Sequence, residues 1–211
     1  MPDDVLNKLD PALRASLKWI ESSGAAGMLI GGAAAGLLSK PRATKDVDWV
    51  VDVPDDRLEL FIKAAVPQQI ESRISNPLEF ARVNCILPFR HRPTGTGVDV
   101  ALALSPFEMA SLERRTLLNY KDLKIPLPDP SDLIVMKAVA NRGVDQGDIE
   151  RLLTYNKVNV VHIQKWVKEY SRLMQNREIV DALDNTLRKM GLLKKQIKPN
   201  STSKKKRGRH A

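Results

Sequence analysis

The chain has 211 residues, 43% of them hydrophobic, and a net charge of +9. That apolar content supports a packed core and excludes a wholly disordered chain. The single cysteine, Cys85, excludes an intrachain disulfide, and with nothing demanding an oxidising compartment the expectation is a cytoplasmic protein.

In chain order, Asp10-Pro11 is expected to open a helix, a capping side chain followed by Pro at the first helical position. Leu13, Leu17, Trp19 and Ile20 give it an apolar stripe, and Gly24 is its stop. Met28-Leu29-Ile30 reads as a short buried strand, broken by Gly31-Gly32 and followed by a small-residue helix over 33–38. The run from Gly24 to Leu38 is the longest apolar stretch. It is shorter than the roughly 18 residues of a membrane span, so no membrane association is expected. Residues 41–45 form a loop, and 47–53 are a Val-rich strand. Pro54 starts a helix with Leu58, Phe61, Ile62 and Ala65 at helical spacing, closed by Pro67. Residues 82–89 look strand-like, 92–97 (RPTGTG) form a turn, and 98–104 (VDVALAL) make a strand paired with the previous one. Ser105 and Glu108 form a capping box before another helix, and 124–127 are a last short strand. Helices follow over 131–142, 148–155, 160–174 and 177–190.

Strands in the first half and helices in the second predict an α+β fold. The expected division is a mixed-sheet domain over 1–128, a helical domain over 129–193, and a basic tail over 194–211. The tail carries eight Lys and Arg and no Asp or Glu, which leaves about +1 for the rest. Its polar composition predicts disorder, with either contact to nucleic acid phosphates or a solubilising role.

Two aspartates, Asp46 and Asp48, sit in TKDVDWVV at positions i and i+2. On a strand they share one face, while Val47, Trp49 and Val51 face a core. Paired carboxylates repel unless a cation lies between them, and Mg²⁺ (or Mn²⁺) with one or two carboxylates and phosphate oxygens meets that need. Alone, such a pair more often reads as a solvated strand edge or loop. Asp99, inside the apolar GVDVALAL, adds a third carboxylate for two-metal phosphoryl chemistry if its strand lies beside 46–53. Upstream, LIGGAAAGL places Gly31 and Gly32 where a phosphate can approach backbone N–H groups at a helix start. It is not a Walker A loop, because Leu37-Leu38 replaces Lys-Ser/Thr.

The set LIGGAAAGLLSKPRATKDVDWVV followed by GVDVALAL resembles the nucleotidyltransferase superfamily, which has the palm-like fold of DNA polymerase β. The R-x-T-x-D-x-D form, Arg42, Thr44, Asp46 and Asp48, is similar to the AbiEii-type branch. That branch includes toxins of abortive-infection and toxin–antitoxin systems. The resemblance covers roughly residues 26–155. It implies a palm-like mixed sheet flanked by helices, followed by a C-terminal helical bundle. It also implies transfer of a nucleoside monophosphate from an NTP to a tRNA, a protein or a small molecule. Asp46, Asp48 and Asp99 would be catalytic and hold Mg²⁺ or Mn²⁺. Gly31, Gly32, Arg42, Thr44 and Lys137 would bind the nucleotide, with Arg142, Asp145 and Asp148 orienting it or bracing the domain junction. Ala33 departs from the pattern, since many relatives place there a Ser that donates to a phosphate. Regulation by a catalytically inactive relative of the same fold is the alternative.

Overall fold

The sheet is organised around the Val-rich strand β2 (Asp46–Asp52), whose Val47, Trp49 and Val51 are fully buried. Burying a side chain of this size stabilises by about 1.5–3 kcal/mol, so alternation along this strand fixes which face meets the core. The computed structural model describes residues 3–193. The basic tail 194–211, on which the expected disorder and nucleic-acid contact fall, lies outside the described residues.

β2 pairs antiparallel with β1 (Ala26–Ile30) and parallel with β5 (Gly97–Leu102). β4 (Ile86–His91) and then β3 (Ile70–Ser72) extend the sheet antiparallel, giving the order β1-β2-β5-β4-β3. A separate hairpin, β6 (Thr116–Tyr120) and β7 (Leu123–Leu127), lies against β1.

Helix α1 (Asp3–Ser23) covers the core face of the sheet. Its two contacts with buried indoles show how polar handles are satisfied there. Trp49 Nε1 donates to Ser16 Oγ at 2.9 Å, and Trp19 Nε1 donates to the Phe61 carbonyl at 2.7 Å. On the other face, Met28, Val50 and Ala103 are covered by Leu112 and Met136. Those two side chains come from α5 (Pro106–Glu113) and α6 (Pro130–Ala140).

Helix α2 (Gly31–Leu38) begins directly at the end of β1, and its buried small residues let it pack closely against β2. Helices α6, α7 (Gly143–Tyr155), α8 (Val160–Leu173) and α9 (Glu178–Lys189) pack on one another. α2 touches both α6 and α7, so the helical half is joined to the sheet behind β1 and β2. The apolar core runs without a break from Leu9 to Leu187. Together these elements are an α+β fold with a mixed sheet flanked by helices.

Several local expectations differ from the structure, among them the start of α7, which lies at Gly143 and not at 148, and the strand β3, which is not expected. The first helix starts well before Asp10 and carries Pro11 inside it. Leu9 is buried on the same stripe as Leu13 and Leu17, and that burial outweighs the hydrogen bond which Pro removes. Residues 82–84 belong to a helix, α4 (Pro77–Asn84), which Cys85 ends in the left-handed region at φ +58° before β4 starts. Only Ala81 of α4 is buried, so no apolar period announces it. Residues 116–120 form β6, although Leu117 is exposed and the alternation weak. The remaining helix, α3 (Asp55–Lys63), follows Pro54 as expected, and the capping box of Ser105 and Glu108 is formed.

Candidate active site

Parallel pairing of β2 with β5 places Asp48 directly opposite Asp99, and Asp46 opposite Gly97. Strands lie about 4.8 Å apart, so Asp48 and Asp99 are immediate neighbours on the face away from Trp49. Along the same row, Ile30 lies opposite Asp48 on one side and Pro88 opposite Asp99 on the other. Two glycines make room for the acids. Gly31 has φ +69°, and a Cβ there would collide with the Asp48 carboxylate. A Cβ at Gly97 would collide with the Asp46 carboxylate.

The acids are electrostatically strained. Burial, then the nearby charges of Asp99 and Asp46, push the Asp48 carboxyl up to about 6. Burial also raises Asp99, against the pull of Arg73. Arg73 Nη2 forms an ion pair with Asp99 Oδ1. Its backbone N–H donates to the Pro88 carbonyl at 2.9 Å, which extends the β3–β4 pairing by one residue into the row of Asp99 and Asp48. Among the described residues, no three His, Cys, Asp or Glu side chains close into a ready-made metal cage.

Beside the acids lies a network of buried charges. Gly32 is the floor beneath Thr44 and Arg42, because a Cβ there would lie 2.8 Å from Thr44 Oγ1 and 2.9 Å from Arg42 Nη2. Arg42 donates from Nε and Nη2 to the two oxygens of Asp148, each at 2.6 Å, and from Nη1 to the Ala43 carbonyl. Lys137 is 2% exposed, with Nζ 2.9 Å from Asp145 Oδ1 and 2.8 Å from Asp148 Oδ2. Arg142 donates from Nε to Asp145 at 2.8 Å while its side chain remains 66% exposed.

Both buried aspartates are held ionised. Burial pushes each up, but Arg42 and Lys137 bring Asp148 down to about 2, and Arg142 and Lys137 lower Asp145. The charges of Lys137 and Arg142 reach Asp48 and oppose its upward shift.

The structure thus brings Asp46, Asp48, Asp99, Gly31, Gly32, Thr44 and Arg42 to the junction of β1, α2, β2 and β5. Lys137 lies behind them in the ion-pair network, turned into α7. Arg73 and Gly97 were not singled out by sequence reasoning. Among 34 Lys and Arg, only the register of three strands identifies Arg73. A groove of about 220 Å³ that includes Asp52, Arg57 and Leu60 lies at the opposite end of β2 and contains none of these acids.

The fold has counterparts among solved structures. One solved structure of similar fold is an antigenic nucleotidyltransferase-like protein from Paracoccidioides brasiliensis. It is 22% identical, with a TM-score of 0.51, over 86% of this chain and 93% of that one. The chain has a nucleotidyltransferase-like fold. A second is the lincosamide antibiotic adenylyltransferase LnuA with lincomycin bound, 17% identical, with a TM-score of 0.48, over 66% of this chain and 93% of that one. No family model matches the chain, and no curated protein does.

Proposed function

We propose that this protein transfers a nucleoside monophosphate from an NTP to an acceptor hydroxyl and releases pyrophosphate. The observation that carries the reading is the pairing of Asp48 with Asp99, two residues along the same face from Asp46, beside the first turn of α2. The donor set, all carboxylate oxygen, fits Mg²⁺ or Mn²⁺, and Asp48, raised by burial and then by the charges of Asp99 and Asp46, is an acid that a bound cation would favour in its ionised form. Bound there, the ions would neutralise charge on the phosphates and on the acceptor oxygen.

The chain's own groups divide the remaining work. Asp46 and Asp48 hold the metal side, and Asp99 takes the proton of the acceptor hydroxyl as its oxygen attacks the α-phosphorus. The bond from that phosphorus to the β-phosphate bridge breaks, and pyrophosphate carries away the electron pair. The free N–H groups at the start of α2 face the phosphates, a role the backbone fills where Ala33 offers no hydroxyl. Arg142, exposed and within electrostatic reach of Asp48, supplies positive charge to the triphosphate. Arg42 and Lys137 fix α7 and the loop 41–45 around Gly32, and Thr44 lines the same corner.

The finer placement in the AbiEii-type branch rests on Arg42, Thr44, Asp46 and Asp48 and on the Lys137 helix; a toxin would be one user of this chemistry. The Arg73–Asp99 pair favours one second reading, a nucleotide-binding regulator that no longer catalyses. Calorimetric titration of Mg²⁺ with each of the four NTPs tests both. The transferase reading expects metal-dependent binding of at least one NTP, lost in Asp46→Asn/Asp48→Asn, together with pyrophosphate release once an acceptor is supplied. Binding without release to any acceptor class would select the regulator. A folded protein that binds no NTP would overturn both.

A further inference from the structure

The Arg73–Asp99 ion pair joins a residue of the sheet edge to one of the three acids. Arg73 lies just beyond β3, at the edge of the sheet, and its backbone is tied to Pro88. The guanidinium therefore starts from a fixed point in the row of Asp99 and Asp48 and has one short reach to Asp99 Oδ1. Arg90, two residues along β4 from Pro88, is a useful contrast. It faces Gly97 across β4–β5 and pairs with Glu71 at 2.7 Å. The arginine of β4 is thus neutralised by a glutamate outside the site, and the one beyond the edge strand β3 by an acid of the site itself.

We propose that Arg73 is a positioning residue that holds Asp99 in the metal-free protein and competes with a divalent cation for it. The inference rests on the proposed metal-dependent transfer. A guanidinium on Asp99 Oδ1 offsets the carboxylate charge that a divalent ion would use and crowds its approach, so the ion on that side binds more weakly while Arg73 stays in place. The side chains of Arg73 and Asp99 are 40% and 27% exposed, so the pair is partly solvated and can open. Among the described residues, no Lys or Arg is ion-paired directly with Asp46 or Asp48, and Lys137 and Arg142 act on Asp48 only at longer range. The ion held by Asp46 and Asp48 binds first, and the one at Asp99 second and more weakly. Once displaced, Arg73 stands at the rim on the Asp99 side, where the acceptor oxygen must come.

Mn²⁺ binding, read by electron paramagnetic resonance on the full chain, tests this without any turnover. Arg73→Gln removes the charge and keeps a polar side chain, and Arg90→Gln changes net charge equally without touching Asp99. The expected result is roughly fivefold tighter Mn²⁺ binding at the weaker site in Arg73→Gln, the scale of a part-exposed ion pair, with Arg73→Lys closer to wild type. Arg90→Gln should change the affinity by less than about twofold.

Unchanged or weaker binding in Arg73→Gln, in a protein whose Mn²⁺ binding still depends on Asp48, would overturn the inference and leave the transferase reading standing. Equal tightening by Arg73→Gln and Arg90→Gln would also overturn it, because the effect would then be a general field. Absence of Mn²⁺ binding from every folded variant would overturn both readings together.

Discussion

Asp48 shows how a functional group can weaken its own fold. In the folded protein its carboxyl titrates at about 6, against 3.8 for the free group. Between those values the native state holds a proton that the unfolded chain has lost. The contribution of Asp48 to stability is therefore greatest below about pH 4, falls as pH rises to about 6, and is level above, a loss of up to about 3 kcal/mol. Asp48→Asn removes the titration, and it should raise the melting temperature at pH 7 by several degrees with little change at pH 4. Differential scanning calorimetry at the two pH values reads this, and an equal rise at both would refute it.

The two glycines beside the acids should separate in the opposite way. Gly97→Ala needs only the Asp46 carboxylate to swing aside, so Mn²⁺ affinity drops while the urea midpoint barely moves. Gly31→Ala adds a Cβ at φ +69° against Asp48, so both should fall, the stability by about 1 kcal/mol or more.

Among the elements, the pair α6 and α7 is held by charge as well as by apolar contact. Lys137→Met would leave Asp145 and Asp148 buried with one cation fewer, and a broken buried pair costs about 3–5 kcal/mol. Urea denaturation should show that loss. Asp148 adds acid sensitivity of the opposite sign to Asp48. Its carboxyl is held near 2, so the stability it contributes is present above about pH 4 and is lost as pH falls toward 2.

The same two helices show what a sequence makes readable. Their apolar residues and the capping box of α5 are local signals, whereas Gly143, which reads as a stop, opens α7, so the first turn of that helix is not legible. The shared face of Asp46 and Asp48 follows from alternation alone. By contrast, α4 buries one residue and β6 sits exposed, so their conformations are imposed by neighbours and leave little pattern to read. Arg73 and Gly97 belong to this second kind. Each matters through what lies across a strand, and cross-strand register is not written in any short segment. Lys137 lies between: its helix is legible, but that its amine turns into α7 depends on a packing no spacing encodes.

At the scale of the whole molecule, nearly all the net charge lies in residues 194–211, and the rest is close to neutral. Deleting that segment should leave Mg²⁺-dependent NTP affinity unchanged by calorimetry, because the acids, the start of α2 and Arg142 all lie outside it. Any affinity for RNA or DNA that disappears with the segment should fall steeply with salt. Among the described residues, no helix is long and apolar enough to cross a membrane. The sheet order also has a kinetic meaning. β2 and β5 are neighbours in space, yet α3, β3, α4 and β4 are all made between them in the chain. Their pairing is a non-local event, of the sort that slows folding. The repulsion between Asp48 and Asp99 is absent until that pairing occurs, so it bears on the step that docks β5. Divalent cations, by screening the two acids as they meet, should quicken refolding of this protein from urea. Asp48→Asn should refold quickly whether or not the ions are there.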